Sequence, residues 1–279
     1  MFQVKVLAKG DFSFAVDLAN TINWNMAVED FEFMTSLEPN GCFLLTDGPK
    51  RVGIATCNAF GEVGWFGNLI VEKSYRNRGA GSMLVRHALQ YLKEKGTKTV
   101  GLYAYPALTH FYGNLGFVLD EDYSVLKAEK LSQVNSEPFP KIDQRWLPEI
   151  AEFDHKYFGG NRKKLLESII QAPGNAGYYI EEGGQIIGYV AATIYESMAW
   201  VGPLICHPER YNIAISLVQA VLSKVAGREV YAVVSKNDIP LMNAFFKVGF
   251  KESFIVSRMF LGRAVAKNCI CMAESLERG

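Results

Sequence analysis

Two stretches of this chain are each written twice, and that repetition constrains the fold more than any other feature of the sequence. The strand-like run Arg51-Val52-Gly53-Ile54-Ala55 is echoed by Gln185-Ile186-Ile187-Gly188-Tyr189-Val190-Ala191. The helix end Phe111-Tyr112-Gly113-Asn114-Leu115-Gly116-Phe117 is echoed by Ala244-Phe245-Phe246-Lys247-Val248-Gly249-Phe250. The glycine of the first landmark moves from 53 to 188, and that of the second from 116 to 249. A near-constant offset over two landmarks implies a duplicated unit, and 279 residues hold two domains of ordinary size.

The order of elements agrees in the two halves. In the first, a strand near 3–8 leads to helical patterns near 11–20 and 28–36. Strands follow near 42–46, 51–59 and 62–71, parted by glycine or charged turns. Met83, Leu84, His87, Ala88, Tyr91 and Leu92 recur at three-to-four spacing and predict an amphipathic helix, which Gly96 stops. A strand at 98–104, a short helix from Pro106 and a last strand from Phe117 complete the unit. The second half repeats this from about Trp146 to Gly262, with Leu217, Val218, Val221, Leu222 and Val225 as the core stripe of its helix. Between the halves, Glu129 to Pro140 is polar, holds two prolines and lacks apolar periodicity. The expected domains are therefore 1–130 and 140–279, α/β units built on a mixed sheet.

Lys plus Arg and Asp plus Glu are both 29, so the chain has no basic excess to serve as a footprint for nucleic acid. The segment MFQVKVLAKGDF holds no apolar run long enough for a signal peptide or membrane span, which points to a cytoplasmic protein with no membrane partner. The five cysteines, Cys42, Cys57, Cys206, Cys269 and Cys271, show no paired metal-ligand spacing and read as free thiols, with no metal site.

Chemistry concentrates in Asn68-Leu69-Ile70-Val71-Glu72-Lys73-Ser74-Tyr75-Arg76-Asn77-Arg78-Gly79-Ala80-Gly81-Ser82-Met83-Leu84. This is a buried strand, a basic turn, two glycines and a helix, which together form an anion trap. The first amides of a helix have no internal partner, and its dipole adds about half a positive charge there. Gly79 and Gly81 let a phosphate approach the backbone, and Arg76 and Arg78 add donors. A Walker loop would need Lys-Ser/Thr after its last glycine, where Ser82-Met83 stands. A dinucleotide fingerprint would need a third glycine at Leu84 and an acid about twenty residues on, where Gly101, Leu102 and Tyr103 stand.

Arg76-Asn77-Arg78-Gly79-Ala80-Gly81 resembles the Q/R-x-x-G-x-G/A pyrophosphate loop of the GCN5-related N-acetyltransferases (GNAT), placed between strand and helix as in that family. The resemblance implies tandem GNAT folds of the acyl-CoA N-acyltransferase type, each a mixed, mostly antiparallel sheet flanked by helices. It implies acetyl-coenzyme A as co-substrate, held by Arg76, Arg78, Gly79, Ala80, Gly81 and Ser82, with the backbone of Leu69, Ile70 and Val71 pairing with the pantetheine arm. Gly67 fits this picture, because glycine inside a strand often marks a bulge or a close ligand approach.

Phe111-Tyr112-Gly113-Asn114-Leu115-Gly116-Phe117 is similar to the family's L/F-Y-x-x-x-G-F, whose tyrosine lies near the thioester sulfur in many members. A phenol with a pKa of about 10 can protonate a departing thiolate, so Tyr112 is the catalytic candidate; a half-buried structural tyrosine is the other reading. Some relatives carry a Glu or His base on the strand before the loop. Here that stretch is Gly64-Trp65-Phe66-Gly67-Asn68, without a titratable side chain. Glu62, Glu29, Asp30 and Glu32 lie nearby and read as solvated carboxylates as readily as bases acting through water, so no base is assigned. His110 falls on another helix face and reads as structural.

The matching passage of the second half, from Val201 to Ala214, has no glycine at the loop; Ile213 would crowd a phosphate there, and Phe245 replaces the tyrosine. The whole chain resembles a tandem GNAT subgroup with a degenerate second copy, on Asp154, Phe158-Gly159, Arg162, Leu165-Leu166, Gly202-Pro203, Gly249-Phe250 and Arg258-Met259. Asp154 and Arg162 read as an ion pair or cap, or as groups facing a substrate. The expected activity is direct transfer of acetyl to a primary amine of a small molecule or peptide. A non-catalytic acyl-CoA-binding sensor or scaffold is the alternative, and a homodimer is among the assemblies the sequence allows.

Overall fold

The apolar runs of the first hundred residues become strands folded back on one another through short loops at Gly48 and Gly61. A computed structural model describes residues 1–279, and two compact units divide them: Met1–Leu102 with Arg278, and Tyr103–Glu277 with Gly279. In the N-terminal unit, β1 (Phe2–Val6), β2 (Cys42–Asp47), β3 (Lys50–Phe60) and β4 (Val63–Val71) pair antiparallel in that order. β5 (Thr99–Ala104) then joins β4 in parallel. Helices α1 (Phe12–Asn20) and α2 (Val28–Leu37) cover one face, where Phe12, Leu18, Phe31 and Met34 pack on Leu44, Ile54 and Ile70. On the other face lies α3 (Ala80–Glu94), ended by Gly96 in a left-handed conformation as expected.

The inner stripe of α3 differs from the expected one. Leu84, Val85, Ala88 and Leu92 are buried, while Met83 and His87 face outward. Rows 83/87/91 and 84/88/92 share one period, and periodicity alone does not say which row meets the sheet. His87 lies at the rim, its ring meeting Phe43 edge-on at 4.8 Å.

The C-terminal unit contains α4 (Thr109–Gly113), β6 (Val118–Ala128), α5 (Leu147–Phe158), α6 (Lys163–Gln171), β7 (Ala176–Glu182), β8 (Gln185–Ile194), β9 (Met198–Cys206), α7 (Tyr211–Leu222), β10 (Glu229–Ser235), α8 (Ile239–Lys247), β11 (Lys251–Leu261) and a short β12 (Ile270–Met272). Its strands are ordered β11-β6-β10-β12-β9-β8-β7. Only the β9–β10 pairing is parallel, which gives the expected mixed, mostly antiparallel sheet flanked by helices. All five residues of the expected stripe, Leu217, Val218, Val221, Leu222 and Val225, are buried.

β6, the last strand of the first repeat, lies between β10 and β11 of the second. The compact units consequently divide between Leu102 and Tyr103, ahead of the polar stretch 129–140. Leu131 and Val134 of that stretch are buried in the C-terminal core, and the Leu131 N–H donates to the Arg228 carbonyl at 2.9 Å. The end of a sequence repeat and the end of a packed unit are different places here, because strand pairing sets the second.

Candidate functional site

Strand β4 is bent just before it reaches the basic turn. Ile54 opposes Ile70 and Thr56 opposes Gly67, so Asn68 and Leu69 together face Ala55 in a β-bulge. Asn68 takes the left-handed conformation with φ 49°, and its amide donates to Thr56 Oγ1 at 3.1 Å and Met34 Sδ at 3.0 Å. The bulge thus falls one residue after Gly67, where an asparagine can adopt the required angle. The ladder to β5 ends even earlier, covering only Val63–Trp65 against Thr99–Gly101. Trp65 lies over Gly101 so closely that a Cβ there would stand 2.3 Å from its ring. Leu69, Ile70 and Val71 therefore belong to a part of β4 that pairs with β3 and has left β5.

The chain then turns through Lys73–Tyr75 and reaches the glycines. Arg76 Nε donates to the Val71 carbonyl at 2.9 Å, which closes the turn onto the strand that precedes it. The Arg78 guanidinium lies 5.1 Å from the Tyr75 ring and 5.8 Å from Phe2. Asn77 (φ 59°) and Gly79 (φ 80°) are both left-handed, and Gly79 is the residue at which α3 begins. The first helical bond runs from Met83 N–H to the Gly79 carbonyl at 3.0 Å. The amides of Ala80, Gly81 and Ser82 precede it and have no carbonyl within the helix to reach. A Cβ on Gly79 would meet nothing within 4 Å. This arrangement fits a diphosphate: left-handed turns and a helix start leave consecutive N–H groups without a helical partner, beside two arginines.

Tyr112 lies in α4, in the C-terminal unit. It is buried, with its ring 4.9 Å from Phe111 and 5.9 Å from Phe117. Burial pushes its pKa above the usual phenol value. The repeat is visible in detail here. Phe117 N–H donates to the Tyr112 carbonyl at 3.1 Å and Phe250 N–H to the Phe245 carbonyl at 3.2 Å, with Gly116 and Gly249 at φ 94° and 97°. His110 serves its own helix turn, accepting from Asn114 Nδ2 at 3.2 Å.

The carboxylates considered as bases are each tied to local structure, Glu29 apart. Glu62 pairs with Lys98 at 2.5 Å, Asp30 accepts from the Ala27 N–H at 2.8 Å at the start of α2, and Glu32 pairs with Lys9 at 3.0 Å. Glu29 lies exposed in the first turn of α2. The sequence did not single out Glu38, a buried carboxylate at the end of α2 that receives Tyr91 Oη at 2.5 Å and the Ala59 N–H at 3.2 Å. Nor did it single out Asn58, 2% exposed, whose Nδ2 and Oδ1 have no hydrogen-bond partner.

In the second repeat the same strand–turn–helix passage, Cys206 to Ala214, contains no left-handed residue. Arg210 closes it instead, pairing with Glu182 at 2.6 Å. Asp154 and Arg162 are buried inside the C-terminal unit as an ion pair at 2.6 Å, so the structural reading of these two holds.

The family profile described as Acetyltransferase (GNAT) family matches residues 14–117, and the one described as Acetyltransferase (GNAT) domain matches residues 150–269. This chain is a tandem GNAT acyltransferase. Holothin acyltransferase of Pseudoalteromonas sp. (strain SANK 73390) is 26% identical over 262 residues, which cover 92% of this chain and 87% of that protein. Among solved structures, a Pyrococcus horikoshii protein with a provisional acetyltransferase name superposes with a TM-score of 0.82 at 20% identity, covering 100% of this chain and 96% of that one. A GCN5-related N-acetyltransferase from Sphaerobacter thermophilus reaches a TM-score of 0.66 at 13% identity, covering 100% and 98%. A tandem GNAT protein from the clavulanic acid biosynthesis pathway gives 0.62 at 13% identity, covering 96% and 99%. Among the helices of this GNAT protein, none is long and apolar enough to cross a membrane.

Proposed function

We propose that this tandem GNAT protein transfers an acetyl group from acetyl-coenzyme A to a primary amine of a small molecule or peptide, by direct attack. The first repeat (1–130) carries the reaction, and the second (140–279) is a degenerate copy that shapes specificity or supports the first. The observation that carries this reading is the corner at Asn77–Ser82, where left-handed turns and a helix start leave amides without a helical partner, following a strand edge that β5 has left. Near-full-length similarity to holothin acyltransferase supports acyl transfer by the whole chain.

When bound, the coenzyme supplies an activated acetyl thioester. The amides of Ala80, Gly81 and Ser82 take its diphosphate, and Gly79 and Gly81 allow the close approach. The turn that Arg76 fixes through Nε leaves its two Nη groups for phosphate, and Arg78 adds a second guanidinium. Leu69, Ile70 and Val71 offer backbone groups to the pantetheine arm. Tyr112 holds a proton on Oη throughout the physiological range, because burial raises its pKa, and gives that proton or a hydrogen bond to the departing thiolate.

Gly81→Val tests the corner. A branched side chain there weakens acetyl-coenzyme A binding by about two orders of magnitude, or ~2.7 kcal/mol, in calorimetry. Unchanged affinity overturns the assignment. A panel of primary amines scored by thiol release tests the acceptor, and cofactor binding without turnover on any amine refutes the amine reading.

A further inference from the structure

In the first repeat, β4 and β5 run parallel, pair at Val63–Trp65 with Thr99–Gly101, and then part. In the second, β9 and β10 also run parallel, pair at Met198–Val201 with Glu229–Ala232, and part in the same way. The second split is filled. β12 enters it antiparallel to β9, with Ile270 opposite Cys206, Cys271 opposite Ile205 and Met272 opposite Leu204. On its other side Met272 faces Val234 of β10, and the Ala273 N–H donates to the Val233 carbonyl at 3.3 Å. Ile270, Met272, Ala273, Glu274 and Ser275 are all buried.

Two features are built around this segment. A Cβ on Gly202 of β9 would stand 2.0 Å from the Ala273 carbonyl oxygen, a backbone atom, and Gly202 holds φ 153°, where a side chain is strained as well. Glycine at 202 therefore serves the close approach of the two backbones. The second feature is Arg162, 1% exposed. Its Nη1 donates to the Gly279 carbonyl at 2.7 Å, while Nε and Nη2 hold Asp154 at 3.1 and 2.6 Å. Tyr189 Oη donates to the same carboxylate at 2.5 Å. The Gly279 oxygen also accepts from Glu274 N–H at 3.0 Å, and Gly279 N–H donates to the Ser275 carbonyl at 3.3 Å. Residues 274–279 thus form a closed turn latched to a buried guanidinium whose charge is fully paired.

We propose that Ile270–Ala273 is an internal ligand of the second repeat, filling the β9/β10 split in place of an extended amide-bearing arm such as pantetheine. Each chain then takes one acyl-coenzyme A, and the second repeat is closed by its own strand as well as by the loss of the loop glycines. The recognition chemistry is shared: a strand edge freed by its parallel neighbour offers alternating N–H and C=O groups to any extended chain that carries amides. Being tethered, the internal strand binds at an effective concentration of about millimolar, against which a free arm without a phosphate anchor competes poorly. The inference rests on the reading that the β4/β5 split takes the cofactor arm.

Hydrogen exchange and calorimetry on the full chain, wild type against Gly202→Ala, test it with acetyl-coenzyme A and pantetheine as probes. The wild type binds one acetyl-coenzyme A, and its amides at 271–273 exchange slowly whether or not the cofactor is present. In Gly202→Ala those amides exchange at least about tenfold faster, and millimolar pantetheine slows exchange at 204–206 in the variant alone. If the alanine unfolds the unit, seen as lost protection across α7, Arg162→Lys replaces it: lysine keeps a charge opposite Asp154 and gives up the bond to Gly279. A second acetyl-coenzyme A on the wild type overturns the proposal. So do fast amides at 271–273 in the wild type, a segment that stays protected in both variants, or a released segment with no pantetheine protection. Failure of the wild type to bind acetyl-coenzyme A strikes the proposed function instead, and the exchange of 271–273 still decides this inference.

Discussion

Tyr112 and Phe245 occupy matching positions in the two repeats, and the phenylalanine shows what the tyrosine would be without its hydroxyl. Phe245 is fully buried with its ring 4.9 Å from Phe250, packed much as Tyr112 is on Phe117. Tyr112→Phe should therefore keep the fold, at a cost of about 1 kcal/mol in unfolding free energy. Its kcat should fall by about 10²-fold, the lower end of the range for acid catalysis, with acetyl-coenzyme A affinity unchanged. Steady-state kinetics beside a denaturation curve reads both, and a variant at full kcat removes the hydroxyl from the reaction. Asn58 poses the opposite case, a buried carboxamide with nothing to bond. An unsatisfied buried polar group costs about 1–3 kcal/mol, and leucine has a similar volume. Asn58→Leu should raise the unfolding free energy by about 1–2 kcal/mol in urea; a loss of stability would show that the carboxamide makes bonds in solution.

At the scale of elements, local signals proved readable and long-range ones did not. Strand β4 lies where its flanking turns put it and helix α3 where three-to-four spacing put it, and Gly96 ends that helix in the left-handed conformation its position suggested. Those features depend on residues adjacent in sequence. Gly67 suggests a bulge or a close ligand approach; the bulge falls at Asn68–Leu69, because its place is fixed by register against β3. The inward row of α3 was misjudged at Met83 for a related reason: what faces the helix is decided by the sheet beneath it. β12 went unanticipated. Three residues are too few for a pattern, and its existence depends on a gap between β9 and β10 that only the assembled sheet contains. The seat of β6 between β10 and β11 is likewise a property of partners far along the chain.

Across the molecule, both compact units bury thiols and phenols, and this sets how the fold must respond to alkali. Cys42 and Cys206 have pKa values pushed up to about 12, and burial is the first cause in each; Cys57 is raised well above 9 for the same reason. All three are at most 1% exposed. Burial likewise raises Tyr103, Tyr112, Tyr123 and Tyr189 above the usual phenol value. A group whose folded pKa is raised keeps its proton after the unfolded chain has lost it, so the unfolded state binds fewer protons and stability falls as pH rises. The loss is small below about pH 8, where both states are protonated, and grows as the unfolded thiols titrate. From about pH 8 to 10 each buried thiol removes somewhat over ~1 kcal/mol, so the three together remove about 4 kcal/mol. Above pH 10 the four phenols add to the slope. The Cys269–Cys271 pair acts with opposite signs, because the thiol–thiol hydrogen bond raises Cys269 and lowers Cys271 to about 7. The two effects oppose each other across the alkaline range. Urea denaturation at intervals from pH 7 to 11 should show a plateau up to about pH 8 and then a steepening fall. A typical domain has about 5–15 kcal/mol to lose, so unfolding without denaturant is expected between about pH 10 and 11. A curve still flat at pH 10.5 would mean that these thiols and phenols are reached by water in the folded protein.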